Sequence, residues 1–139
     1  MGMTIAEKIL AAHAGAETAK PGQYLWCKVG ATSGHRLADL EALGVDRVWD
    51  PEKVFQVDDH QAPPPTIAAA NKVKELRRLI KKYEIKNYFE YGRGGILHQV
   101  FAEHGMYAPG DLVAMCDSHS TSGGVFNACV TNANLDAVH

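Results

Sequence analysis

The chain has 139 residues, the size of one ordinary domain, with 46% apolar and 22% charged residues and a formal net charge of −2. That balance is a globular one that argues against disorder, with no acidic run for a tail and no basic excess for nucleic acid. No apolar run reaches membrane-spanning length, and the three cysteines, Cys27, Cys116 and Cys129, are too widely spaced for a zinc or disulfide framework, so reduced thiols in a cytoplasmic protein are expected.

Thr4 followed by Glu7 is a capping-box pattern, with Ile5, Ile9, Leu10 and Ala12 on one helical face and Gly15 as the stop. No signal-peptide core stands behind this helix start. Gln23 to Val29 is rich in strand formers and reads as a strand, followed by a loop from Gly30 to Gly34. Leu37 to Leu43 reads as a short helix ended by Gly44, and Val45 to Trp49 and Val54 to Val57 as short strands. Pro63-Pro64-Pro65 enforces an extended link. Thr66 opens the longest helix, to about Tyr83, with Ile67, Ala70, Val73, Leu76, Ile80 and Tyr83 as its apolar stripe and its lysines and arginines as a solvated face. Tyr88 to Tyr91 reads as a strand, Gly92 to Gly95 as a glycine loop, and Ile96 to His104 as a helix start. Leu112 to Cys116 reads as a buried strand, with Cys116 as packing. Ser120 to Gly124 reads as a loop, with helix from Val125 onward. Helices alternating with short apolar strands predict an α/β layered domain with a largely parallel sheet over residues 1–139.

Three polar clusters occupy one kind of position. Asp59-His60 follows the strand ending at Val57, His98-Gln99 follows the glycine loop, and Asp117-Ser118-His119 follows the strand ending at Cys116. In open α/β sheets the carboxyl ends of the strands line a ligand crevice. Carboxylates there can fix imidazole tautomers and raise their basicity, which suits proton delivery to a leaving hydroxyl. Each cluster also has a plainer reading. Asp59-His60 fits a loop, His98 fits a hydrogen-bonded core histidine, and Asp117 or Ser118 fits the N-cap of a following helix. Gly92-Arg93-Gly94-Gly95 fits either an anion cradle with Arg93 as counter-charge or a tight turn. The threefold recurrence of strand-end placement favours a site.

The stretches MTIAEKILAAHAG, LGVDRVWDPEKV, VDDHQAPPPTIAAAN, YGRGGILHQV and PGDLVAMCDSHSTSGG resemble, in order, the aconitase superfamily. They are most similar to the first part of the 3-isopropylmalate and homoaconitate dehydratase large subunits. The resemblance implies a three-layer aconitase-type domain and a hydro-lyase that removes water from a 2-hydroxy di- or tricarboxylic acid. It matches Asp59-His60 to an Asp–His pair at the departing hydroxyl and His98 to a histidine paired with Asp117. Ser118 matches a substrate-contacting serine and His119 a histidine near the reacting water, while Arg93 and Gln99 are further candidate substrate contacts. It further implies a 4Fe-4S cluster in the complete enzyme, held by later cysteine motifs, so no metal or cofactor is expected on this chain alone. The catalytic base would come from a swivel domain or small subunit. A short stand-alone paralogue that binds a small polycarboxylate, or a partner subunit, without catalysis is the alternative. Neither nucleic acid nor membrane is an expected partner. Residues 125–139 depart from the glycine-rich continuation of the family.

Overall fold

The computed structural model describes residues 2–33 and 37–132. Five strands form one sheet in the order β3-β2-β1-β4-β5, and every neighbouring pair is parallel. They are β1 (Ala31–Ser33), β2 (Val54–Val57), β3 (Asn87–Phe89), β4 (Leu112–Met115) and β5 (Cys129–Asn132). The helices are α1 (Ile5–Ala14), α2 (Leu37–Ala42), α3 (Ile67–Lys82) and α4 (Leu97–Glu103), with a 3₁₀ helix over Ser120–Phe126. The expected α/β fold with a parallel sheet is therefore present.

Helix ends follow local chemistry. Thr4 and Glu7 form the reciprocal capping box, and Gly15 ends α1 at φ 65°. Thr66 caps α3 through the Ala69 N–H. Alternation along β2 then sorts side chains to two faces. Val54 packs with Leu37, Leu79, Ile80 and Tyr83 beneath α2 and α3. Phe55 and Val57 pack with Leu97, Val100, Phe101 and Tyr107 beneath α4. Glu41 ties α2 to α3 by accepting from Arg78 and Lys82, and these cations hold its carboxyl down to about 2.

Several local expectations are overturned. Gln23 to Val29 is not a strand; Tyr24 and Trp26 are 100% and 84% exposed. Strand propensity is expressed only where a segment pairs with a sheet, and the position between β2 and β4 is taken by Ala31–Ser33, within the expected loop. Thr32 and Ser33 tolerate full burial because their hydroxyls donate to the carbonyls of Ala114 and Phe55 at 2.8 and 2.9 Å. Gly34 lies outside the described residues. Val45 to Trp49 also lacks strand pairing.

The buried stripe of α3 runs through Ala69, Leu79, Ile80 and Tyr83 instead of Ile67, which is 82% exposed. In α1 only Ala11 is buried, so Ile5 and Leu10 remain uncovered. The expected Ser120–Gly124 loop is part of the 3₁₀ helix, which ends at Phe126, and the expected helix from Val125 onward gives way to β5, which pairs alongside β4. The rest of that expectation, residues 133–139, lies outside the described residues. Cys116 is exposed, not buried packing, because it stands one residue beyond the last covered position of β4 while its N–H still reaches the Ser33 carbonyl.

Candidate active site

The carboxyl ends of β2 and β4 and the start of α4 meet at one edge of the sheet. Their side chains line a hollow of about 230 Å³ bounded by Asp59, His60, Ile96, His98, Asp117, Ser118 and His119. Six of the eight sequence candidates thus share one wall-to-wall space. Arg93 and Gln99 do not line it; Gln99 turns along α4 to donate to Glu103 at 2.9 Å.

Asp59 joins the elements. Its Oδ2 accepts the Leu97 N–H at 3.0 Å, anchoring the start of α4 to the end of β2. Its Oδ1 accepts the His60 N–H at 2.7 Å and lies 2.6 Å from His60 Nδ1. That hydrogen bond is the main reason the His60 imidazole titrates above its ordinary 6.5, with the Asp59 and Asp117 charges adding and partial burial opposing. Because the folded value is raised, any stability from this pair is complete below about 6.5 and is lost as pH rises through the folded value. We expect an NMR titration of the His60 ring to show a midpoint above 6.5 that falls back on Asp59→Asn. An unchanged midpoint in that variant would mean that the carboxylate is not the cause.

Asp117 is the buried acid of the site, its side chain 3% exposed. Its Oδ1 accepts the His119 N–H at 2.9 Å, an Asx-type turn that holds the Asp-Ser-His corner. The same oxygen lies 3.3 Å from His98 Nδ1. This distance suits an ion pair, but the alignment is not that of a hydrogen bond, and His98 Nδ1 has no other partner. The turn-forming role and the histidine-facing role therefore coexist in one carboxylate. Ser118 Oγ sits 2.9 Å from His119 Nδ1, and the rings of His98 and His119 stack at 4.6 Å.

A second hollow of about 400 Å³ adjoins the first, sharing Asp59 and Ile96 and lined also by Asp58, Glu90 and Tyr91. Sequence reading passed over Asp58 and Ile96. Burial pushes the Asp58 carboxyl up, against the 2.6 Å hydrogen bond from the Tyr88 hydroxyl. The signals available were the Asp58-Asp59 doublet at a strand end and the apolar residue directly after the glycine loop. Gly94 keeps that loop against the strand end, since a Cβ there would lie 2.9 Å from the Phe89 carbonyl oxygen.

Iron–sulfur clusters are held by thiolates. Cys27, Cys116 and Cys129 are all free, and among the described residues no group of three candidate ligands within 4.8 Å of one another includes a cysteine. The thiols of this chain do not fit a cluster.

Residues 7–132 match the model of the aconitase family (aconitate hydratase). The chain is 45% identical, over 94% of its length, to a 3-isopropylmalate dehydratase large subunit from Thermodesulfovibrio yellowstonii. It is 42% identical over 94% to one from Moorella thermoacetica, and 44% identical over 90% to one from a Sulfurihydrogenibium species. The match covers only 32%, 32% and 31% of those relatives, respectively. With the parallel sheet and the polar corner in hand, a family match over residues 7–132 leaves one assignment: the chain belongs to the aconitase family.

Proposed function

We propose that this chain supplies the proton-handling part of a hydro-lyase centre of the 3-isopropylmalate dehydratase large-subunit type. Its substrate would be a 2-hydroxy di- or tricarboxylic acid, and its setting cytoplasmic. The observation that carries this reading is the convergence of two Asp–His pairings on one hollow.

Loss of water from such an acid needs a proton on the departing hydroxyl. His60 is suited to give it: Asp59 holds Nδ1, so Nε2 remains for exchange, and the raised titration keeps more of the ring protonated near neutrality. Asp117 Oδ1 faces His98 Nδ1 at 3.3 Å and orients that ring toward the hollow's reacting groups. Ser118 and His119, beside His98 in the lining, form a hydroxyl–imidazole pair for the substrate's polar groups. The acceptor for the neighbouring carbon's proton comes from a swivel domain or small subunit, and an iron–sulfur cluster is held by residues outside this chain.

The stand-alone receptor reading is weaker on electrostatic grounds. Among the described residues the hollow's lining includes two carboxylates and no lysine or arginine, which disfavours capture of a bare polycarboxylate.

The test is a chimera in which residues 7–132 replace the matching part of the Thermodesulfovibrio large subunit, combined with that relative's small subunit. Dehydration of 3-isopropylmalate is the expected result. A folded, cluster-loaded chimera that binds the small subunit yet turns over none of the 2-hydroxy acids would sink the proposal.

A further inference from the structure

We infer that His98, Asp117 and His119 form a site for one divalent transition-metal ion of the Zn²⁺ class on this chain. One ligand atom from each of the three lies within 4.8 Å of the others. A second trio, Asp59, His60 and Asp117, meets the same distance and shares Asp117, so a single ion must choose.

The hydrogen bonds make that choice. In the second trio, Asp59 Oδ1 and His60 Nδ1 already hold each other at 2.6 Å, and Asp59 Oδ2 serves the Leu97 N–H. An ion held between Asp59 Oδ1 and His60 Nδ1 would displace their direct hydrogen bond, whereas Asp117 Oδ1 accepts the His119 N–H and keeps a second lone pair for an ion. In the first trio, His98 Nδ1 is shielded from solvent and has no hydrogen-bond partner among the described residues. It stands 3.3 Å from Asp117 Oδ1. Two ligands on a tetrahedral ion, each about 2.1 Å from it, are themselves about 3.4 Å apart. The contact that fails as a hydrogen bond therefore has the spacing of two ligands on one ion. His119 is oriented by Ser118 Oγ at Nδ1, which leaves Nε2 for coordination. Its ring is exposed and can turn to close the remaining distance.

Charge and donor type point the same way. The hollow holds the carboxylates of Asp59 and Asp117, with no lysine or arginine among the described lining residues, and Asp117 is buried. Two imidazoles and one carboxylate suit Zn²⁺, Co²⁺ or Ni²⁺, whereas Mg²⁺ and Ca²⁺ favour oxygen donors. Three protein ligands leave a fourth position open to water or to a carboxylate from a ligand. The inference does not rest on the hydro-lyase reading, but an ion held there occupies His98 and Asp117 and so excludes their proton-handling role while it is bound.

Calorimetry with Zn²⁺ on the tag-free 139-residue chain, with Co²⁺ absorption as a report of geometry, tests it. One Zn²⁺ per chain, a tetrahedral-type Co²⁺ spectrum and no saturable Mg²⁺ binding are expected. His119→Ala, at an exposed position, should weaken Zn²⁺ by at least about tenfold with an unchanged circular dichroism spectrum. His98→Ala should do the same, and His60→Ala should bind as the parent does. Absence of saturable Zn²⁺ binding, or undiminished binding in folded His119→Ala, would overturn the site. Loss in His60→Ala with retention in His119→Ala would overturn it in favour of the other trio.

Discussion

In the reconstituted chimera, His98→Ala and Asp117→Asn are each expected to lower kcat by about 10²–10⁴, the usual worth of a positioned proton-transfer group. That range is about 3–5.5 kcal/mol of barrier. The loss should fall on kcat with KM little changed, because the pair acts on charge that develops during reaction. Asp117→Asn is the more informative change. An asparagine keeps an oxygen for the His119 N–H, so the Asx turn survives while the charge facing His98 disappears. Asp117→Ala removes both, and it should add a stability loss of about 0.5–1.5 kcal/mol for the missing turn hydrogen bond. Thermal melts run beside the kinetics separate the two effects. If activity in Asp117→Asn falls only in step with melting temperature, Asp117 is a turn residue and nothing more.

Phe101→Ala is expected to destabilise the chain by about 3–5 kcal/mol, measured by urea unfolding. Domains of this size have about 5–15 kcal/mol in total, so the variant should be marginal. Phe101 is 1% exposed. It meets Phe55 edge-on at 5.1 Å and Tyr107 at 4.8 Å, joining α4 to β2 and to the segment before β4. Its loss opens a void beneath the helix that carries His98, so both midpoint and site should suffer. Phe101→Leu should retain most of the stability by keeping volume. A cost below about 1 kcal/mol for Phe101→Ala would show that this face of the sheet is not packed as described.

How much could be read in advance differs between the two layers of organisation. The caps at Thr4, Gly15 and Thr66 act within a few residues, and each stands where its helix begins or ends. Apolar runs such as Val54–Val57 and Leu112–Met115 became buried central strands because both faces of a parallel sheet are covered. Gln23 to Val29 failed for the opposite reason: good strand formers found no partner, and Tyr24 and Trp26 stayed outside. The short Ala31-Thr32-Ser33 segment has little propensity of its own, yet it sits between β2 and β4 with both hydroxyls satisfied.

The same division runs through the site. Asp59-His60, His98 and Asp117-Ser118-His119 were identifiable as chemistry-bearing residues from their types, their strand-end positions and their family motifs. Their convergence on one crevice was also expected from strand-end placement, whereas the absence of Arg93 and Gln99 from its lining and the exposure of Cys116 were not. Side-chain identity and short-range spacing determine helix caps, apolar runs and the inventory of acids and imidazoles, because those depend on neighbours within a turn or two. Strand pairing and the meeting of β2, α4 and β4 depend on groups separated by dozens of residues. Only the closed hydrogen-bond ladder and the two packed faces decide which of those groups end within reach of one another.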